Sequence, residues 1–133
     1  MILVDTSAWA DLFDDRQTAA ACRLDQALGD EEDIAILPVI LTEVLQGIRS
    51  EPGFDEARRL LCGLPCLEMS RDAHVEAARL FRFLRRQGVT VRGAVDCVIA
   101  QAAIVHDAEL LTGDRDFLGI ARHAELRLAL PLA

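Results

Sequence analysis

The chain contains no lysine: all fourteen of its basic residues are arginine. That absence removes several enzyme classes at once. A phosphate-binding loop needs the lysine of its glycine-rich signature, and the chain has neither. Phosphoacceptor receiver domains and aspartate-nucleophile phosphatases also set a lysine beside the phosphoryl group. The Asp-x-Asp pair of such phosphatases is missing too, since Asp5 is followed by Thr6 and Ser7. No apolar run approaches the roughly 18 residues that cross a bilayer, so no membrane association is expected. The amino terminus has neither the basic segment nor the long apolar core of a secretory leader, and a cytoplasmic protein is the expectation. Internal repeats, low-complexity tracts and an interdomain linker are also missing. The 133 residues are therefore read as one domain, 1–133, with enough chain to build a core.

Metal chemistry based on sulfur finds little support. Cys22 and Cys97 lie in apolar stretches of helical character, where a reduced thiol packs as a small hydrophobe. Cys62 and Cys66 have no matching Cys or His pair elsewhere, so a zinc site is disfavoured and four reduced thiols are expected. The net charge of −8 argues, taken as an average, against nucleic acid as a partner. Yet Arg71, Arg79, Arg82, Arg85, Arg86 and Arg92 fall within a single stretch. Arginine's planar fork grips phosphate in two places, and a local basic surface can coexist with an acidic total. Arg82, Arg85, Arg86 and Arg92 are the candidate phosphate contacts; the alternative is a solvated helix face.

Strands and helices alternate. Continuous apolar runs predict strands at 1–5, 34–37 and 109–112, with a weaker strand at 64–69 and a last one at 126–130. Helices are predicted at 6–13, 18–28, 38–49, 54–62, 70–87, 93–106 and 116–122, with Ser, Thr or Pro at several starts and glycine just past several ends. This β-α-β-α order predicts an α/β fold with a mainly parallel sheet covered by helices. Ligands of such folds sit beyond the carboxyl ends of the strands, where the strand order reverses.

Four carboxylates stand in apolar surroundings: Asp5, Glu43, Asp96 and Asp114. A buried carboxylate is costly unless it is paired, hydrogen-bonded or metal-bound. Each has a plainer reading. Asp5 can cap a helix, and Glu43 can pair with an arginine such as Arg49. Asp96 can sit at a helix amino terminus, while Asp114 and Asp116 can serve a turn. Asp5 and Asp114 both follow predicted strands, however, and belong on one edge of the sheet. Gathered together, such groups repel unless a cation compensates. Oxygen-only ligands favour Mg²⁺ or Mn²⁺ over zinc. With no His or Lys placed as a general base, metal activation of water is the expected source of the nucleophile.

The segments Met-Ile-Leu-Val-Asp5-Thr6-Ser7-Ala-Trp9, Leu41-Thr42-Glu43-Val44-Leu45-Gln46-Gly47, Val95-Asp96-Cys-Val-Ile-Ala100 and Leu111-Thr112-Gly113-Asp114-Arg115-Asp116-Phe117 resemble, in order and spacing, the four blocks of PIN-domain ribonucleases of the VapC toxin type. The resemblance implies a PIN-like three-layer α/β/α sandwich with a mainly parallel central sheet. It also implies a Mg²⁺- or Mn²⁺-dependent endoribonuclease toxin of a type II toxin–antitoxin system, whose products carry a 5′-phosphate and a 3′-hydroxyl. Asp5, Glu43, Asp96 and Asp114 become the catalytic and metal-binding quartet. Thr6, Ser7 and Thr112 become supports, and Asp116 a fifth carboxylate reaching the metal through water. Implied partners are RNA, a VapB-type antitoxin and a second copy of the chain, with Trp9, Leu12 and Phe13 as candidate contacts; the alternative, expected for at least one of the three, is ordinary core packing. The rival reading is a non-catalytic RNA-binding or protein-interaction module, which keeps the arginine face but has no use for the quartet.

Overall fold

Ile2–Val4 form β1, the middle strand of a parallel sheet, and all three residues are buried, as expected of a strand covered on both faces. A computed structural model of the protein describes residues 1–130, so the last three residues of the expected 1–133 unit lie outside the described residues. After β1 come α1 (Thr6–Phe13), α2 (Ala19–Gly29), β2 (Ile34–Ala35), α3 (Pro38–Gln46) and α4 (Glu51–Cys62). They are followed by α5 (Arg71–Arg86), α6 (Ala94–Val105), β3 (Glu109–Leu111) and α7 (Asp116–His123). The strand order is β2-β1-β3, both pairings parallel. Helix α1 packs on α2 and α3, and α5 packs on α6, giving the α/β/α layering. Leu3, Trp9, Leu24, Ile40, Leu61, Leu84, Ile99, Leu110 and Phe117 fill the core. Among the described residues, no helix is long and apolar enough to cross a membrane.

The two outer strands expected at 64–69 and 126–130 shrink to single parallel bridges, Ile36 with Cys66 and Leu110 with Leu128. Each is a genuine two-bond contact at a sheet edge. Ile36 donates to Pro65 O and accepts from Leu67 N, while Leu110 donates to Arg127 O and accepts from Ala129 N. Very short edges of this kind limit pairing with other chains. Helix α4 starts three residues earlier than its apolar pattern suggests. The Ser50 hydroxyl accepts the Gly53 N–H at 3.1 Å, and Pro52 sits in the first turn, where its missing N–H costs nothing. All four cysteines are free; Cys97 is buried, but Cys22 is exposed rather than packed as its apolar neighbours suggested.

Candidate metal centre

Because β2 and β3 lie on opposite sides of β1, the strand order reverses there, and the crevice sits at the carboxyl ends of β1 and β3. Val4 is paired with Leu111, and the Asp5 N–H donates to Leu111 O at 2.9 Å. One residue further along both strands, Asp5 and Thr112 are therefore brought side by side. The Thr112 hydroxyl donates to Asp5 Oδ2 at 2.8 Å, and the Ser7 hydroxyl donates to the same oxygen at 3.0 Å. With both hydroxyl protons directed at Asp5, the 3.3 Å approach of Ser7 Oγ to Thr112 Oγ1 is proximity rather than a bond. Asp5 occupies the cap position of α1, yet its side chain makes no capping bond. It is turned into the site instead.

The hydroxyl oxygens also organise the loop after β3. Thr112 Oγ1 accepts the Asp114 N–H at 2.9 Å, and Ser7 Oγ accepts the Gly113 N–H at 3.0 Å. Asp114 Oδ1 in turn accepts the Asp116 N–H at 2.9 Å at the start of α7. A single relay of bonds thus runs from Asp116 through Asp114 and Thr112 to Asp5. Glu43, half-buried on α3, accepts the Thr6 hydroxyl on Oε1 at 2.8 Å; among the described residues it has no arginine partner. Asp96 enters from the first turn of α6.

Carboxylate oxygens of Asp96, Asp114 and Asp116 all lie within 4.8 Å of one another. This group therefore contains two of the expected four together with Asp116, which the family resemblance implies only as a fifth carboxylate acting through water. Asp5 and Glu43 are not in that group but share its field, since both are among the charges that act on Asp96. Burial, followed by repulsion from Asp5, Asp114, Asp116 and Glu43, pushes the Asp96 carboxyl up to about 6. Burial also raises Asp5, opposed by its bonds from Thr112 and Ser7 and reinforced by the charge of Asp114.

Asp116 Oδ2 is buried and receives no hydrogen bond among the described residues. Arg92 Nε approaches it to 2.9 Å, but off the hydrogen-bond direction, so the contact is ionic only. A buried carboxylate oxygen without a hydrogen bond, inside a mutually repelling, all-oxygen cluster, fits a hard divalent cation such as Mg²⁺ or Mn²⁺.

Of the four candidate phosphate-binding arginines, Arg92 alone is paired with an acidic-site residue among the described residues. Arg82, Arg85 and Arg86 are exposed and border one surface depression near the end of α5, with the Arg85 guanidinium 5.8 Å from the Phe81 ring centre. Trp9 is corrected as a contact residue. It is completely buried, stacked on Phe13 with ring centres 5.9 Å apart, because its position on α1 faces the sheet. Leu12 and Phe13 are partly buried and border an open groove shared with Ile48, Arg49 and Glu56.

Comparison with known proteins bears on the family and the fold. The PIN domain family matches residues 2–123. The chain is 38% identical over 131 residues to VapC ribonuclease Mb1587 of Mycobacterium bovis, covering 97% of this chain and 98% of that protein. The same identity and coverage hold for ribonuclease VapC11 of Mycobacterium tuberculosis. Among solved structures, VapBC2 from Rickettsia felis, bound to a DNA fragment from its promoter, superposes with a TM-score of 0.74. That match covers 96% of this chain and 97% of the other at 20% identity, a likeness of fold. On the strength of the matched domain and the full-length relatives, the chain belongs to the PIN-domain family, within its VapC branch.

Proposed function

We propose that the protein is a divalent-metal-dependent endoribonuclease, the toxin of a toxin–antitoxin pair. The observation that carries this reading is the approach of Asp96, Asp114 and Asp116 to within 4.8 Å, with the charges of Asp5 and Glu43 acting on the same group. The VapC relatives support ribonuclease chemistry, and their names specify it for those proteins. Asp96, Asp114 and Asp116 would hold the ion, with Asp5 and Glu43 contributing charge or a further ligand. The ion would supply a Lewis acid for a phosphodiester oxygen and make water acidic enough to serve as nucleophile near neutral pH.

The remaining steps belong to the chain itself. Thr112 and Ser7 donate to Asp5 and favour its ionised form at the crevice floor. The Asp116 N–H fixes Asp114, and Thr6 fixes Glu43. The exposed arginines of α5 supply a surface for the RNA backbone, a role suited to their planar forks. A VapB-type antitoxin is the proposed partner, with Leu12 and Phe13 at the open groove as its apolar contacts and a homodimer as the assembled state. A cytoplasmic location is proposed with it, as the compartment in which cellular RNA would be met.

Incubating purified protein with RNA, in Mg²⁺ or Mn²⁺ and in EDTA, tests the reading. Cleavage with 5′-phosphate products is expected, and Asp96→Asn or EDTA should abolish it. Activity that survives both controls contradicts the proposal. RNA binding without metal and without turnover points instead to the non-catalytic module.

A further inference from the structure

Arg92 has an unusual place in this centre. It is the only arginine paired with the acidic group among the described residues, and 80% of its side chain is exposed while 29% of Asp116 is. Three features of the fold deliver it there. Gly88 ends α5 at φ +77°, a left-handed conformation that glycine adopts without penalty. The two bonds of that turn, Gly88 N–H to Arg85 O at 3.1 Å and Val89 N–H to Leu84 O at 2.9 Å, reverse the chain. Val89 then lies against α7, where Gly119 leaves it room: a Cβ on Gly119 would stand 2.8 Å from Val89 Cγ1. Gly119 is one helical turn beyond Asp116. The segment carrying Arg92 is thus docked on the helix that carries its partner.

The contact is also one that a cation can replace. Arg92 supplies charge to Asp116 Oδ2 without a hydrogen bond, and its largely exposed side chain keeps the freedom to swing into water. We infer that Arg92 is a displaceable counter-ion of the acidic site: it neutralises Asp116 when no divalent ion is bound, and yields that oxygen to the ion. Arg92 thereby competes with metal. Once displaced, it is free to meet an RNA phosphate beside the centre. The inference rests on the metal-binding reading above and assigns Arg92 a positioning and regulatory part within it.

Calorimetric titration of RNA-free protein with Mn²⁺ at low ionic strength provides the test. Arg92→Gln should bind Mn²⁺ about two- to five-fold more tightly than wild type, the scale set by loss of an exposed ion pair. In an Asp116→Asn background the same substitution should leave affinity unchanged. Equal or weaker binding by Arg92→Gln overturns the counter-ion role, as does an undiminished gain in the Asp116→Asn background. Failure of wild-type protein to bind Mn²⁺ at all overturns the metal reading itself, and is distinguishable from both.

Discussion

Thr112 donates its hydroxyl to Asp5 Oδ2 at 2.8 Å across 107 positions of sequence. The bond exists because β1 and β3 run parallel and in register up to Val4 and Leu111, so that each strand's next residue meets the other's. The same hydroxyl oxygen accepts the Asp114 N–H, which makes Thr112 the joint between the strand ends and the acidic loop.

Thr112→Val removes that joint at nearly constant volume. It should destabilise the metal-free protein by about 1–3 kcal/mol, because a buried carboxylate loses a donor and the Asp114 N–H loses its acceptor. Urea unfolding in EDTA measures the change.

The pH dependence of stability should be inverted relative to a salt-bridged aspartate. Asp96 titrates at about 6 in the folded protein against 3.8 for the unperturbed group. Between those values the folded state binds more protons than the unfolded chain, so stability falls as pH rises through that window. Metal-free protein should melt at a higher temperature near pH ~5 than near pH ~7.5 from this contribution. Asp96→Asn should flatten the slope, though not erase it, because Asp5 is also raised. Thermal melts in EDTA at the two pH values check both statements.

Divalent metal should reverse the penalty. An ion that binds only the folded state adds about 2.7 kcal/mol at a concentration a hundredfold above its dissociation constant. Mn²⁺ should therefore raise the melting temperature of wild type near neutral pH and leave Asp114→Asn almost unmoved. An equal rise in both proteins would place the ion elsewhere.

Gly88→Ala should cost about 1–2 kcal/mol, since the residue sits at φ +77° with space around it and the penalty is purely one of backbone conformation. Denaturant unfolding reads the stability. Binding of Mn²⁺ should tighten at the same time if the altered turn loosens Arg92 from Asp116.

Much of this was legible where the cause is local. Helix α5 follows from the Ser70 cap, whose hydroxyl accepts the Ala73 N–H at 3.0 Å, and from the glycine that stops it. β1 follows from an unbroken apolar run ending in Asp5. The parallel sheet follows from alternation, and with it the position of Asp5 and Asp114 at one edge. Side-chain direction was less accessible. Asp5 suits a cap equally well until Thr112 arrives from the far end of the chain to claim its carboxylate. Trp9 suits a partner contact or the core until α1 is laid on the sheet and buries it. Asp116 joins Asp96 and Asp114 because a bond from its own N–H to Asp114 turns α7 into the crevice, and no periodicity encodes that bond. The Arg92–Asp116 pair, likewise, depends on how one turn docks on one helix.

Metal binding at the crevice is tested most directly by diffraction from crystals of the metal-free protein soaked in Mn²⁺, with the ion located by its anomalous signal. A peak is expected among the carboxylates of Asp96, Asp114 and Asp116, at metal–oxygen distances of roughly 2.0–2.3 Å, with Arg92 withdrawn from Asp116. No peak there, or a peak only at acidic residues outside the crevice, would contradict it.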